Sequence, residues 1–351
     1  MRSFRRVLAI VAAVVLVTSG CGSSGDATPA AESAGSSATH TITDMAGRSV
    51  KLPTTIDRVV TLGSVPVINS FLFALGEGKL IVNGLPPFAR NPRWKYQYVF
   101  NPAIERQPQT QTADGAPDIE RILGLKPDVV LAMSPDVIKP LDQVGVPAVV
   151  LKWQNAEDVK AVVGLLGKVL GQEERANAYA AYFDKALARV GDVVKAIPES
   201  DRRTALYLDP EAMSRPHVIA EWYIAQAGGL SVTREETSQE TLKLNIEQIL
   251  AWNPEVIFVD SPAGRDHVLA DPRFANVAAV KDKQVFSIPI AAHTWGNRTS
   301  EQPLTVMWVA TKLYPKQFAD FDLNAEVHDF YANIYRIDLD DSQVKEIVAG
   351  L

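Results

Sequence analysis

Positively charged and aromatic side chains dominate the segments of this sequence that could bind a ligand. Guanidinium groups bind carboxylates and oxyanions through a fixed fork of donors, and aromatic rings stack on macrocycles or catechol rings. The combination predicts a binding site for an anionic metal chelate, although each arginine alone is equally compatible with a solvated loop and each tryptophan with a core position. The candidate ligand-binding residues are Arg90, Arg93, Trp94, Tyr96, Tyr98, Trp153, Arg215, His217, Arg265, His293, Trp295 and Arg298.

The histidines are too few and too widely spaced to form a site for a bare metal ion. The chain has five of them, and no two occur at HxH or HxxxH spacing, which would place two imidazoles on one face of a strand or helix. The sequence therefore predicts neither a resident metal nor a cofactor. Direct axial ligation of an already chelated metal by one histidine, such as His217 or His293, or by a tyrosine is left open.

Motifs of common catalytic sites are absent from the sequence. The chain contains no G-x-S-x-G, H-E-x-x-H, Walker or C-x-x-C motif, and no G-x-G-x-x-G follows a predicted strand. We therefore predict a binding protein rather than an enzyme. Two alternatives stay open: a membrane-tethered hydrolase or lyase that uses Asp136, Asp260 or His293, and a tethered sensor or adhesin with a different protein partner.

A repeated segment indicates how the candidate residues are positioned. DIERILGLKPDVVLA at 118–132 returns as NIEQILAWNPEVIFV at 245–259, an offset of 127 without gaps. Each copy predicts a short helix that ends before a proline and leads into a buried β-branched strand. We therefore predict an α/β fold with two lobes, each containing a mostly parallel sheet. Ligands of such folds bind beyond the carboxyl ends of the strands, which here would face each other across a cleft.

The elements around the repeats define the predicted domains. An N-terminal lobe covers 40–155, a connecting helix region 156–199, a C-terminal lobe 200–315 and C-terminal helices 316–351. Within the connecting region, apolar residues recur at helical spacing over 173–197, which predicts one long helix of ~37 Å between the lobes. Such a helix permits small rocking of the lobes rather than a wide hinge swing.

The N-terminal residues are typical of a secretory signal. Three arginines precede the apolar run at 7–17, which has about half of the ~20 residues that a membrane-spanning helix needs. We predict a signal peptide over 1–20 and a lipidated flexible tether over 21–39, which is rich in Gly, Ser and Ala. Cys21, the only cysteine, lies where a lipobox presents its modified thiol, although Thr18 replaces the preferred leucine. The expected location is extracytoplasmic, with a lipid anchor in the cell membrane.

The overall composition is that of an ordinary globular protein. Of the 351 residues, 47% are hydrophobic and 22% are charged, and the net charge is −6. No dense basic run follows the first residues, so nucleic-acid binding is not expected. A chain of this length is sufficient for two hydrophobic cores.

After its tether the chain resembles the helical-backbone (class III) substrate-binding lipoproteins of ABC importers. The resemblance rests on the paired IExIL…P(D/E)V units, the opening AGRSVKLPTTIDRVVTLG, the connecting helix and the segment SEQPLTVMWVATKLYP. It implies a monomer that carries ferric siderophores, haem or cobalamin to a permease dimer with a cytoplasmic ATPase. The segment from Trp308 through FADFDLNAEVHDFYANIY is similar to a branch that includes molybdate and tungstate binders. The expected ligand is a ferric siderophore or related iron complex, with an oxyanion, haem or cobalamin as alternatives.

The same resemblance assigns a role to two glutamates. In this family an acidic residue on each lobe docks on arginines of the permease, and Glu120 and Glu247 occupy matching positions of the two repeats. From the residues alone, each glutamate could equally complement the dipole of its helix. The duplicated placement favours docking.

Overall fold

The computed structural model describes residues 38–112 and 114–351, and residues 38–351 belong to one compact unit. The predicted signal peptide, Cys21 and all but the end of the predicted tether lie outside the described residues. In the part of the chain that is described, no helix is long and apolar enough to cross a membrane.

The N-terminal half is built on a parallel sheet covered by helices. In chain order its elements are β1 (Thr39–Thr43), β2 (Ser49–Pro53), β3 (Val59–Leu62), α1 (Val65–Ala74), α2 (Lys95–Phe100), α3 (Ile119–Gly124), β4 (Val129–Ala132), α4 (Pro135–Gln143) and β5 (Ala148–Val150). The sheet has the order β3-β4-β5 and is parallel, whereas β1 and β2 form a separate antiparallel pair. Every residue of β3, β4 and β5 is buried, as expected for strands covered on both faces.

Two helices, α5 (Ala156–Leu170) and α6 (Glu173–Val194), connect the halves. A capping box at Asn155 begins α5, and Gly171, in the left-handed conformation with φ of 65°, ends it. The 22 residues of α6 span about 33 Å. The predicted long connecting helix is confirmed, but it ends three residues earlier than predicted, because Pro198 disfavours helical geometry in the residue before it.

The C-terminal half contains the second parallel sheet. Its elements are β6 (Thr204–Leu208), β7 (Ser214–Arg215), α7 (Ile219–Gln226), β8 (Leu230–Ser231), β9 (Leu242–Lys243), α8 (Ile246–Trp252), β10 (Val256–Val259), α9 (Pro262–Ala270), α10 (Ala278–Lys281), β11 (Val285–Ser287), α11 (Gln302–Leu313), α12 (Leu323–Phe330) and α13 (Asp341–Ala349). A π-helical turn, Tyr331–Tyr335, continues α12. The sheet has the order β11-β10-β6-β8 and is parallel. The predicted α/β class, with two mostly parallel sheets and a helical connection, is confirmed.

The sequence repeat is preserved in the structure. β4 and β10 are inner strands of their sheets, and their bounds differ by the same offset of 127. The helix before each strand begins with a capping side chain, from Asp118 or Asn245, that accepts a backbone N–H three residues on. Between helix and strand, Lys126 and Asn253 both have φ of 46°. A left-handed residue ends each helix and redirects the chain into the strand.

The hydrophobic core is continuous across the connecting helix. Tyr179, Phe183 and Val190 of α6 are fully buried, and they belong to one cluster with Val59 of the first sheet and Phe258 of the second. Apolar surface shared in this way opposes large displacement of one half against the other.

The close approach of α5 and α6 depends on Gly167. A Cβ atom at this position would lie 2.8 Å from the Cβ of Ala176 and 3.2 Å from the carbonyl oxygen of Gln172. We expect Gly167→Ala to lower the free energy of unfolding by about 1–3 kcal/mol, measured by chemical denaturation. Gly164→Ala in the same helix is the control, because its Cβ would meet no atom within 4 Å and alanine should add up to ~1 kcal/mol. Equal effects of the two substitutions would contradict this contact.

Candidate ligand-binding site

A cleft lies between the carboxyl ends of the strands of the two sheets. Its main chamber has a volume of about 490 Å³. The wall from the N-terminal half consists of Ser64, Val67, Met133, Trp153 and Gln154. The wall from the C-terminal half consists of His217, Val218, Thr237, Ser238, Glu240, Asn297 and Arg298. One wall is therefore largely apolar and the other largely polar.

A smaller side chamber of about 230 Å³ adjoins the main chamber. His217 and Asn297 line both, so the two chambers form one connected cleft. The side chamber belongs almost entirely to the C-terminal half, and it is lined by Tyr207, Asp209, Pro216, His217, Asp260, His293, Thr294 and Asn297.

The positive charge of Arg298, the arginine of the main chamber, is already balanced by a carboxylate of the protein. Arg298 forms a bidentate pair with Glu240, with both N–O distances 2.8 Å, and its Nε donates to the carbonyl of Gln154 at 2.6 Å. The Nδ1 of His217 lies 3.0 Å from the same carboxylate. Desolvation opposes ionisation of Glu240, but hydrogen bonds from His217 and Arg298 outweigh it and lower its pKa to about 2. Glu240 therefore stays negative at neutral pH and balances the guanidinium.

A second arginine links the two halves at the side chamber. Arg93 Nη1 lies 3.2 Å from Asp260 Oδ2, and its Nη2 donates to the backbone carbonyl of Asp260. Because Asp260 follows β10 and Arg93 precedes α2, this pair bridges the cleft. Both side chains are partly exposed, so this ion pair contributes only modestly to holding the two halves together.

His293 presents a neutral imidazole to the side chamber. Its ring packs edge-on against Trp94, with centroids 4.9 Å apart, and its Nδ1 lies 3.3 Å from the carbonyl of Thr294. Desolvation by the surrounding protein, together with nearby positive charge at His217 and Arg93, lowers the pKa of the ring to about 4, although the bond to Thr294 opposes the shift. Within residues 38–112 and 114–351, no three His, Cys, Asp or Glu side chains are grouped to hold a metal ion.

The residues from Pro289 to Arg298, here called the cleft loop, are held by a buried carboxylate. Glu301, fully buried before α11, accepts the backbone N–H groups of Ala292 at 3.0 Å and His293 at 3.1 Å. The hydroxyl of Tyr331 donates to the same carboxylate at 2.6 Å. Glu301 therefore fixes the segment that carries His293 and Arg298 into the cleft.

The N-terminal half holds the cleft loop from the other side. Gln97 Nε2 donates to the carbonyl of Ala292 at 2.5 Å, and Gln97 Oε1 accepts from Asn69 at 2.9 Å. Asn69 in turn accepts from Thr61 of β3 at 2.9 Å. All of these polar side chains are fully buried, so the chain of hydrogen bonds ties the first sheet to the cleft loop.

The structure brings one group of predicted ligand-binding residues to the cleft. Trp153, His217, His293 and Arg298 line its chambers, Arg93 spans it, and Trp94 supports His293. Their contact with a ligand stays a prediction.

Three other predicted residues are buried away from solvent. The hydroxyl of Tyr96 donates to Glu346 at 2.8 Å, Arg215 is paired with Glu221 at 2.8 Å, and Trp295 is fully buried in the core. Burial of these side chains argues against ligand contact in this conformation.

The remaining three predicted residues have partners of their own. Arg90 Nε donates to the carbonyl of Leu85 at 3.0 Å, and Arg265 pairs with its neighbour Asp266 at 3.0 Å. Tyr98 packs half-buried against the core. A role of these residues in ligand binding likewise stays a prediction, without support from the chambers described above.

Sequence reasoning does not identify two acidic residues of the site, Glu240 and Glu301. The sequence predicts a basic site for an anionic ligand, and such a prediction gives no role to these glutamates. Glu240 lies 58 residues from its partner Arg298, and no local sequence pattern predicts a pair at such a distance along the chain. Glu301 stands in the segment SEQP, directly before helix α11. This position is the one local signal in the sequence that points to Glu301.

A model of the periplasmic binding protein family matches residues 71–292 of this chain, well over half of its length. The chain belongs to the periplasmic binding protein family. Members of this family are extracytoplasmic solute-binding proteins of ABC importers, which deliver their ligand to a permease and its ATPase, and they are not enzymes. The resemblance inferred from the repeats is thereby confirmed.

This periplasmic binding protein has curated relatives with different ligands. It is 28% identical over 331 residues to the molybdate-binding protein MolA of Haemophilus influenzae, covering 84% of this chain and 90% of MolA. It is 22% identical over 295 residues to the iron-uptake system-binding protein of Bacillus subtilis, covering 79% of this chain and 88% of the relative.

Solved structures agree in fold. A periplasmic solute-binding protein of Veillonella parvula superposes with a TM-score of 0.77 at 25% identity, over 88% of this chain and 97% of the other. MolA of Haemophilus influenzae bound to molybdate superposes with a TM-score of 0.74 at 25% identity, over 86% of this chain and 99% of MolA. These likenesses extend over both parallel sheets of the binding protein.

The buried carboxyl of Glu301 should make the stability of this binding protein depend on pH. Burial raises its pKa to about 7, although hydrogen bonds from Tyr331 and the cleft loop oppose the shift. Between about 4.5 and 7 the native state then holds a proton that the unfolded chain releases, so the free energy of unfolding should fall as the pH rises through this range.

Glu301→Gln isolates this contribution. The slope of unfolding free energy against pH, from urea titrations between pH 5 and 7, should become more positive by up to about 1 kcal/mol per pH unit. His293, whose lowered pKa acts in the opposite direction, is present in both proteins and cancels in the comparison. Parallel slopes for the two proteins would show that Glu301 is ionised throughout.

Proposed function

We propose that this binding protein captures a metal chelate, a ferric siderophore or a related iron complex, and delivers it to the permease of an ABC importer. The main chamber carries this proposal. Its volume of about 490 Å³ falls in the range of roughly 300–1,000 Å³ that is typical of sites for organic ligands. Trp153, Val67 and Met133 supply apolar surface, and the opposite wall supplies hydrogen-bonding groups.

The ion pairs of the cleft narrow the class of chelate. Arg298 is matched by Glu240 and Arg93 by Asp260, so neither guanidinium offers a free fork to a carboxylate or catecholate. A strongly anionic ligand would have to displace a carboxylate, at the cost of leaving a charge unpaired. A chelate of little net charge would bind without displacing either carboxylate. Trihydroxamate complexes of iron(III) fit this requirement, because the hydroxamate anions balance the charge of the metal.

An oxyanion such as molybdate is the second candidate. It is favoured by the similarity to MolA and by the side chamber, whose volume of about 230 Å³ suits a small ligand. His217, Thr294 and Asn297 could donate hydrogen bonds there. Asp209 and Asp260 line the same chamber, however, and their carboxylates repel an anion.

The proposal includes attachment and docking. Lipidation of Cys21 would tether the protein to the outer face of the cell membrane. Glu120 and Glu247, exposed at the second residue of α3 and of α8, would dock on arginines of the permease. Within the described part of the chain neither carboxylate forms an ion pair, so both are available to a partner.

Equilibrium dialysis with metal analysis tests the choice of ligand. The probes are a trihydroxamate iron(III) chelate, a triscatecholate iron(III) chelate, molybdate and tungstate. We expect the trihydroxamate chelate to bind at a ratio of one per protein and to resist competition by excess molybdate. Saturable binding of molybdate or tungstate without binding of either chelate would overturn the proposal in favour of the oxyanion.

Trp153 should contribute to binding of the chelate through its ring. Its centroid lies 5.3 Å from that of Phe71, which holds the indole at the wall of the main chamber. We expect Trp153→Leu to weaken binding of the trihydroxamate chelate about tenfold, or ~1.4 kcal/mol, in the same dialysis. Trp222→Leu is the matched control, because Trp222 is also half-buried beside a phenylalanine, Phe183, but lies on α7 outside the chambers. Similar losses in both variants would rule out a specific role of Trp153.

A further inference from the structure

Three hydrogen-bond donors in the wall of the main chamber converge on the carboxylate of Glu240. Both Nη atoms of Arg298 lie 2.8 Å from its two oxygens, and His217 Nδ1 lies 3.0 Å from one of them. The guanidinium is fixed independently of Glu240, because only 8% of the Arg298 side chain is exposed and its Nε donates to the carbonyl of Gln154. A fixed guanidinium fork with an additional donor is the arrangement by which proteins recognise carboxylates and oxyanions.

The carboxylate that fills this arrangement comes from a surface segment rather than from the core. Glu240 belongs to residues 234–241, which connect β8 to β9 and are all exposed, and its own side chain is 50% exposed. Directly before it, the carbonyl of Gln239 accepts from the fully buried Arg215 at 2.7 Å, and Arg215 is paired with Glu221. The backbone next to Glu240 is therefore anchored, which directs its carboxylate to the fork.

The neighbouring polar groups show what Glu240 prevents. Thr237, Ser238 and Asn297 line the same chamber, and their hydroxyl and amide groups can donate hydrogen bonds. Without Glu240, this wall would combine such donors with the unpaired guanidinium of Arg298, which suits an oxyanion or a carboxylate. With Glu240 in place, the guanidinium is paired and its charge is balanced. One side chain thus separates a site for anions from a site for ligands of little charge.

We propose that Glu240 determines the ligand class of the main chamber: it occupies an anion subsite formed by Arg298 and His217, and so excludes anionic ligands. The inference rests on the proposed function, in which the ligand is a chelate of little net charge. An anion that enters the chamber meets a like charge, and it gains the fork only by displacing a carboxylate that is already well bonded.

The test compares wild type with Glu240→Ala, which empties the subsite, and with Glu240→Gln, which keeps an acceptor for Arg298 and preserves the fold if alanine does not. Glu326→Ala is the matched control. It removes the same charge and frees Arg189, which lies 2.6 Å from Glu326 and lines neither chamber. Thermal stability is measured while chloride is replaced by formate at constant ionic strength, and binding of molybdate is measured by equilibrium dialysis.

Formate has the carboxylate group that the alanine substitution removes. We expect it to raise the melting temperature of Glu240→Ala, because a ligand that binds only the native state stabilises it, and to leave wild type and Glu326→Ala unchanged. Molybdate should bind Glu240→Ala about tenfold more tightly than wild type. Glu240→Gln should gain affinity in the same direction but less, because its amide still fills part of the subsite.

Two results would overturn the inference: Glu240 variants that respond to formate and molybdate no more than Glu326→Ala does, or wild type that binds molybdate as tightly as the Glu240 variants. Dialysis of wild type against the trihydroxamate iron(III) chelate separates this inference from the proposed function. Failure of wild type to bind the chelate would overturn the proposed function, whereas a gain of anion binding in the Glu240 variants would still support the subsite.

Discussion

The geometry of the cleft depends on one buried peptide group, between Ala292 and His293. Its C=O accepts from Gln97 of the N-terminal half, and its N–H donates to Glu301 of the C-terminal half. Neither this C=O nor this N–H can bond to water instead. Loss of Gln97 or of Glu301 would therefore leave a buried polar group without a hydrogen bond, at a cost of about 1–3 kcal/mol. The peptide therefore joins the two halves and also fixes the loop that carries His293 and Arg298.

This arrangement limits how the cleft can work. The halves share a core along α6, and the pairs Arg93–Asp260 and Arg298–Gln154 cross between them. Capture by a large closing motion would break these contacts together, whereas small rocking about the Ala292 peptide would preserve them. Selectivity then comes from a largely preformed shape and from a wall in which each cation already has its carboxylate. Such a cleft suits a ligand that binds through apolar contact and hydrogen bonds rather than through ion pairs.

The parts of this structure that the sequence predicted are those governed by local rules. The repeat at an offset of 127 located α3 and β4, and α8 and β10, because capping residues and β-branched runs act over a few residues. The apolar periodicity predicts that α6 continues to Ile197, three residues beyond its observed end at Val194, because periodicity does not register that Pro198 stops the helix.

The interior of the cleft could not be predicted in the same way. Gln97 meets Ala292 across 195 residues and Arg298 meets Glu240 across 58, and such pairs leave no periodic pattern. The residue types of Tyr96 and Arg215 predict a place in the cleft, but in the structure both side chains are bonded to carboxylates of the protein, Glu346 and Glu221. Residue type alone does not distinguish a cation that binds a ligand from one that pairs within the protein.

Amide hydrogen exchange of the ligand-free protein tests the central claim most directly. If the Ala292–His293 peptide is held as described, the amides of Ala292 and His293 should exchange as slowly as those of the inner strand β10, for example Ile257, because they open only with global unfolding. Exchange of these two amides at the rate of an exposed loop, while β10 stays protected, would contradict the account.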